Sequence, residues 1–348
     1  MYQLANNLEI FKTNNPNQIR FIKRGTGLEQ LIECDNNGLN FLNQLKKANG
    51  KINKELAQNF PQIVDFLLEK KILAPQATTT VENQYRSQLQ AFEDLDLNSH
   101  ASQNKISKAK VAIIGCGGTG GWLATQLVAM GVTQLHLIDP DVVESSNIVR
   151  QVYNLNQVGK NKVDALEELL KQKNTHIKLK KSKFFVNEES NLHNLFDQYD
   201  YICIAADYPS RAEMGLLIGN WCLAHKKTHF ICGGYSGHNS ALGLTVIPGK
   251  TNCWSCYRKW YATQVPIETL NEPFLKGPKN TSGLFPLVLL AAAMSCYDII
   301  RVIIGMNPVL VNTRIDLNPE TLNFEKIPFS PDQECISCRR SHEIAKRN

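Results

Sequence analysis

Residues 111–132 read VAIIGCGGTGGWLATQLVAMGV: a short apolar strand, a burst of glycines, then a helix with apolar residues at helical spacing. The burst Gly115-Cys116-Gly117-Gly118-Thr119-Gly120 fits G-x-G-x-x-G. Its glycines permit a tight turn and a close backbone approach, and the helix behind them offers free N–H groups and its positive dipole end to an anion. Asp139 ends the next strand 19 residues after Gly120, where an acid suits a ribose hydroxyl. The pattern serves NAD and ATP alike. The choice between a redox cofactor and a consumed nucleotide therefore rests on residues further along.

Around this unit KVAII, QLHLID, IKLKK, YICIAA and THFICGG are strand candidates with helical stretches between them. Such alternation predicts an α/β fold: a Rossmann-like, mainly parallel sheet with right-handed crossovers and flanking helices. Residues 241–247 and 310–328 read as further, antiparallel strands beside a long helix at 284–305. Residues 1–75 read as a small α+β domain of winged-helix type. In it QIRFIKRG and EQLIEC are strands, and NNGLNFLNQLKKANG and FPQIVDFLLEKKIL are amphipathic helices. APQATTTVEN, residues 74–83, lacks apolar periodicity and reads as a linker. The expected domains are thus 1–75, a linker and helix over 76–109, and a nucleotide-binding domain over 110–348 that ends in a metal-binding segment.

The 348 residues are 43% hydrophobic and 20% charged, with net charge +6, an ordinary globular balance. The basic run KQKNTHIKLKKSK at 171–183 has no interleaved aromatics for base stacking. It reads as a solvated helix end leading into an edge strand, and no nucleic-acid partner is expected. MYQLANNLEIFK has no basic flank before an apolar core, so it is not a secretory signal. The densest apolar stretch, LFPLVLLAAAMSCYDIIRVIIG, is interrupted by Pro286, Asp298 and Arg301 and reads as a buried helix rather than a membrane span. The expected compartment is the cytosol, where the ten cysteines stay reduced.

The segment IDPDVVESSNIVRQVYNLNQVGKNK, residues 138–162, places Asn147, Arg150 and Lys162 just past the acid. A dehydrogenase needs no such cluster of cations. An enzyme that drives a carboxylate onto the α-phosphate of ATP does, because negative charge gathers there and on the leaving pyrophosphate. CIAADYPSR then ends a strand with Asp207, a suitable single-carboxylate anchor for Mg²⁺ on phosphates. Cys253-x-x-Cys256 and Cys335-x-x-Cys338 have the spacing of a closed, structural Cys₄ zinc site.

The order Gly115–Gly120, Asp139, Asn147-Ile-Val-Arg150-Gln151, Lys162, Asp207 resembles the ubiquitin-activating-enzyme-like adenylyltransferases, the ThiF/MoeB/MccB superfamily. The resemblance implies that ATP is consumed. It implies that Asp139 holds the ribose, with Asp141 also at the nucleotide, that Asn147, Arg150 and Lys162 contact phosphates, and that Asp207 binds Mg²⁺. It further implies a homodimer in which Arg86 of QYRSQLQAF reaches the partner's γ-phosphate. Between Cys256 and Cys296 there is no cysteine, and Cys296 falls inside the apolar helix, so adenylation without an enzyme thioester is expected.

GGYSGHNSALGLTVIPGKTNCWSC, RQVYNLNQVGKNK and the small N-terminal domain resemble the branch that matures microcin- and pantocin-type peptides. That implies a short ribosomal peptide precursor as partner, held by residues 1–75 through strand addition, with QIRFIKRG, residues 18–25, as the expected exposed edge. The remaining alternatives are activation of a Gly-Gly-tailed sulfur carrier and, from another class, an NAD-dependent dehydrogenase.

Overall fold

Strand-forming runs of Val, Ile and Leu flanked by glycine or asparagine set the pattern of the computed structural model, which describes residues 1–338 apart from 6, 26, 76–82, 96, 237–238 and 267–283. The chain divides into two units, Met1–His100 and Ala101–Asn348. Most of the expected linker, 76–82, lies outside the described residues.

The first unit is α+β. It contains β1 (Tyr2–Leu4), β2 (Leu8–Lys12), β3 (Gln18–Lys23), β4 (Leu28–Glu33), α1 (Asn36–Lys47), β5 (Lys51–Ile52), α2 (Lys54–Asn59), α3 (Pro61–Glu69), β6 (Leu73–Pro75) and α4 (Arg86–Asp94). Asp35 caps α1 by accepting from the Gly38 N–H at 2.7 Å, and Asn53 caps α2 from Leu56 at 2.8 Å, the side-chain satisfaction that helix starts require. Phe41, Leu45, Ile52, Val64, Leu67 and Ile72 form its buried core. The strands pair as β5-β1-β6 and β2-β3-β4, antiparallel throughout.

This corrects one expectation. QIRFIK is the middle strand of its sheet, not an edge, and Ile19 and Phe21 are buried against the helices. Arg20 lies on the outer face and pairs with Glu29 at 2.8 Å, whereas Lys23 shares the face of Ile19 and Phe21 and pairs with Asp94 at 3.2 Å. Alternation of that kind marks a half-buried strand in either position, so it could not reveal the second neighbour. The free edges of this sheet belong to β2 and β4.

Helix α5 (Ser99–Lys108) starts two residues before the second unit, which holds β7 (Lys110–Ile114), α6 (Gly118–Ala129), β8 (Gln134–Ile138), α7 (Lys162–Lys173), β9 (Lys178–Ser182), α8 (Leu192–Phe196) and β10 (Tyr201–Ile204). The unit continues through α9 (Arg211–Ala224), β11 (Thr228–Ser236), β12 (Asn239–Val246), α10 (Trp254–Gln264), α11 (Phe285–Ile304), β13 (Thr313–Asn318) and β14 (Asn323–Pro328). One sheet runs β14-β13-β12-β11-β10-β7-β8-β9. The pairs from β9 to β11 are parallel and those from β11 to β14 antiparallel, as the alternation predicts. The central strands are buried on both faces, which explains the unbroken apolar runs KVAII and YICI. By length and composition α11 could cross a membrane, but it packs on α6 and β11 with Leu287, Ala291, Ile299 and Ile303 buried. The basic run 171–183 spans the end of α7 and edge strand β9, where Lys181 and Lys183 pair with Asp164 at 2.7 and 2.5 Å.

The chain leaves β7 toward β8 on one side and returns through β10 on the other. This reversal opens a crevice at the carboxyl ends of β7 and β10, the place where open α/β sheets take ligands.

Two fully buried histidines give the second unit an expected acid sensitivity. Burial lowers His136 and His229 to about 4, and His136 Nδ1 and His229 Nε2 have no hydrogen-bond partner. Unfolded, each imidazole returns to about 6.5 and takes up a proton that the folded chain refuses. Stability from this source is therefore complete above pH 6.5 and lost as pH falls toward 4, at most about 3 kcal/mol per histidine. Melting temperature should decline over that window, and His229→Gln should flatten the decline. An equal slope in the variant would assign the acid sensitivity to other groups.

Candidate nucleotide site

A cavity of about 710 Å³ occupies the crevice, lined by the glycine loop, by residues that follow β8, β9 and β10, and by Cys232, Gly233 and Gly234 within β11. Two glycines of the loop are required by the protein itself. Gly115 has φ +87°, and a Cβ there would lie 2.6 Å from the Ala206 backbone N. A Cβ on Gly120 would lie 1.8 Å from the Gly115 carbonyl O, so strand and helix could not meet. Gly117 is different: its nearest neighbour would be Gln151 Nε2 at 3.9 Å. The chain alone would tolerate a side chain at 117, and the bare backbone there leaves space for a phosphate at the start of α6.

Asp139 is 5% exposed, and both its oxygens are engaged. Oδ2 accepts from the Cys116 N–H at 2.6 Å and Oδ1 from the Asp141 N–H at 2.9 Å. It thus clasps the glycine loop to the end of β8 and keeps lone pairs toward the cavity. Burial raises its carboxyl above the ordinary range, with Lys162 acting in opposition. The Lys162 side chain is 9% exposed and its Nζ lies 2.8 Å from Asp141 Oδ2. Its buried ammonium is therefore neutralised by a half-exposed acid that a ligand phosphate could replace. Arg150 donates to the Ser146 carbonyl at 2.8 Å, and its own carbonyl accepts from Trp122 Nε1 at 3.3 Å. Asn147 is buried, and its Oδ1 accepts from the Glu144 N–H at 3.1 Å. That bond shapes the turn that carries Arg150. Asp207 follows β10 with an exposed carboxylate and has no partner among the described residues. An exposed, uncommitted carboxylate on a phosphate-sized cavity fits Mg²⁺.

The cavity thus brings together Gly115, Gly117, Gly118, Asp139, Asp141, Asn147, Arg150, Lys162 and Asp207, with Gly120 buried beneath the loop. Arg86 belongs to the first unit, at the start of α4, with its side chain exposed.

Sequence reasoning assigned no role to several residues in or behind the cavity. Tyr153 is buried and its hydroxyl donates to the Cys116 carbonyl, holding the loop from behind. Gln151 is 9% exposed and its Oε1 has no partner, so it is an acceptor awaiting a donor from the cavity. Phe184, Phe185 and Tyr208 line the far end although 42%, 50% and 61% exposed, with the Phe185 and Tyr208 rings 4.9 Å apart. Such exposed aromatic faces suit a nucleobase. An apolar pair after an edge strand was the available signal. Arg211, at the start of α9, lies on the β11 side.

A second constellation is separate. Cys253, Cys256, Cys335 and Cys338 are buried with their sulfurs within 4.8 Å of one another, three of the separations being 3.5, 3.6 and 3.8 Å. These are too long for S–S bonds. They match the roughly 3.8 Å edge of a tetrahedron with 2.3 Å metal–sulfur bonds, and four thiolates suit Zn²⁺.

Residues 85–338 match the ThiF family over most of the chain. The chain belongs to the ThiF family. The matched span runs from beside Arg86 to Cys338, so it includes both cysteine pairs. Candida albicans "Adenylyltransferase and sulfurtransferase UBA4" is 32% identical over 161 residues, 46% of this chain and 35% of that protein. Xenopus laevis "Adenylyltransferase and sulfurtransferase MOCS3" is 26% identical over 245 residues, 70% and 51% of the two chains. The ThiF-family chain therefore spans about half or less of these curated relatives. Among solved structures, Escherichia coli MccB with AMPCPP and MccA superposes with TM-score 0.74 at 23% identity, over 97% of this chain and 99% of that one.

Cys116, Cys203, Cys222, Cys232 and Cys296 are buried, and burial pushes the Cys296 thiol up to about 12. A buried, protonated thiol is not a nucleophile.

Proposed function

We propose that this ThiF-family chain is an ATP-dependent adenylyltransferase that activates a carboxyl group on a short ribosomally made peptide. The observation that carries the reading is the convergence of the glycine loop, Asp139, Arg150, Lys162 and Asp207 on one cavity. A substrate carboxylate oxygen bonds to the α-phosphorus, and the bond to the bridging oxygen breaks. Pyrophosphate leaves with the electron pair, giving an acyl-adenylate. Asp139 receives the ribose hydroxyls while fixing the loop. Lys162 and Arg150 draw the phosphate charge, Lys162 exchanging Asp141 for phosphate oxygen. Asp207 holds Mg²⁺, which when bound neutralises the phosphates. The occurrence of MccB structures with ATP supports ATP as the nucleotide.

The peptide rests on two supports. MccB, matched over nearly its whole length, is solved with MccA. The first unit also offers a free edge at β4 and an apolar pocket of about 190 Å³ lined by Ile19, Phe21, Ile32, Phe41, Leu42 and Phe66. A strand added to β4 could set a side chain in that pocket. The curated relatives, named as adenylyltransferase and sulfurtransferase, favour a second reading: the Gly-Gly carboxylate of a sulfur-carrier protein.

The same proposal includes a homodimer. Val149, Leu155 and Val158, 70%, 74% and 44% exposed, offer apolar surface on the segment carrying Arg150, and Arg86 of each copy reaches the other's γ-phosphate. Ten free cysteines suit the cytosol.

ATP–pyrophosphate exchange with a panel of short peptides and a Gly-Gly-tailed carrier protein separates the two substrates. The expected result is exchange driven by a peptide, with Phe66→Glu raising the peptide KM about tenfold by placing a charge at the apolar pocket. Exchange driven only by the carrier would establish the second reading.

A further inference from the structure

Arg211 is the cavity's uncommitted cation. Lys162 is paired with Asp141 and Arg150 with a carbonyl, whereas Arg211 has no hydrogen-bond or ion-pair partner among the described residues. It is half-buried at the first position of α9, just after Asp207. Its guanidinium lies against the bare backbone of Gly234 on β11: a Cβ at 234 would stand 1.9 Å from Arg211 Nη2. Gly234 has an ordinary φ, so its lack of a side chain serves to make this room.

The position is as telling as the freedom. Asp139 and Lys162 come after β8 and Phe184 and Phe185 after β9, on one side of the glycine loop, with Tyr208 reaching Phe185 from the end of β10. Arg211 and Gly234 stand on the other, β11 being two strands or about 10 Å from β7. A nucleotide with its base at Phe185 and its phosphates on α6 occupies the first half. The second half remains for the other reactant. We propose that Arg211 grips the carboxylate of the acyl substrate and presents it to the α-phosphorus, an inference that rests on the adenylation reading. The planar guanidinium fork matches a carboxylate in two parallel hydrogen bonds. The carboxylate gives up its charge as the P–O bond forms, so this grip is strongest before reaction. Arg211 is thus a substrate-binding residue, and its removal should act on KM more than on kcat.

Two measurements test it, using heptapeptides ending in Asn or in Gly-Gly as free acids and as C-terminal amides. In the first, phenylglyoxal labelling of Arg211 in the intact enzyme is followed by mass mapping. A free acid should slow labelling, while its amide and AMPCPP should not. Protection by AMPCPP alone would make Arg211 a phosphate ligand and overturn the proposal, as would no protection by any probe. This arm needs no turnover, so it decides the proposal even if wild-type enzyme exchanges pyrophosphate with no peptide, a result that would instead remove the adenylation reading. In the second, Arg211→Ala should raise the KM of the exchanging peptide about 10- to 100-fold and change the ATP KM less than twofold. Arg211→Lys should fall between. Gly234→Ala should raise the peptide KM in the same direction, because its methyl displaces only the tip of a flexible side chain. A shift in ATP KM with peptide KM unchanged would overturn the assignment.

Discussion

Asp207→Ala should reduce ATP–pyrophosphate exchange by about 10³-fold or more and leave the melting temperature within about 2 °C of wild type. The two halves of this result have separate causes. Asp207 is exposed, and no described residue depends on it for a hydrogen bond or charge, so its loss orphans no buried group. It is also the carboxylate after β10 that faces the phosphate end of the cavity without a competing partner, and losing the metal's charge there removes several kcal/mol of transition-state stabilisation. Lys162→Ala is expected to cost about 10²- to 10³-fold in turnover, the usual effect of deleting one preorganised charge donor. Asp141, half-exposed, would then rehydrate. Exchange within tenfold of wild type in Asp207→Ala would remove Asp207 from the mechanism. An Lys162→Ala enzyme altered only in ATP affinity would remove the transition-state role of that lysine.

Cys335→Ser should lower the melting temperature by about 10 °C or more, and purified wild-type protein should contain one zinc per chain. Binding at such a site is folding free energy, and each kcal/mol lost moves the midpoint of a domain of this size by about 2–4 °C. The cluster is buried among Phe329, Trp254, Tyr257 and Trp260. An opened site would therefore leave polar sulfur and water inside an aromatic shell. The outcomes that would defeat the metal assignment are less than half an equivalent of zinc in reduced protein, or an unchanged midpoint in the variant.

The glycine loop, Asp139 and both C-x-x-C knuckles were legible in the sequence because each is a local spacing whose chemistry demands particular residues. The parallel core was legible because doubly buried strands leave unbroken apolar runs. Strand neighbours were not. Whether QIRFIK had one partner or two depended on β2, a strand whose LEIFK gives little alternation and whose pairing is set across a turn. Tyr153, Phe185 and Arg211 escaped for a related reason. An aromatic or a cation is unremarked until a separate element brings it to the loop or the cavity, and only the folded chain shows that Gly234 was left bare beneath a guanidinium.

The four cysteines also alter the connectivity of the molecule. Cys253 and Cys335 stand 82 positions apart, and metal bonds between the two knuckles would close the chain between them into a ring. Helix α11 and the β13–β14 hairpin lie within that ring. Such a closure would limit how far these elements can separate when the chain unfolds, a constraint that grows with the length of the ring.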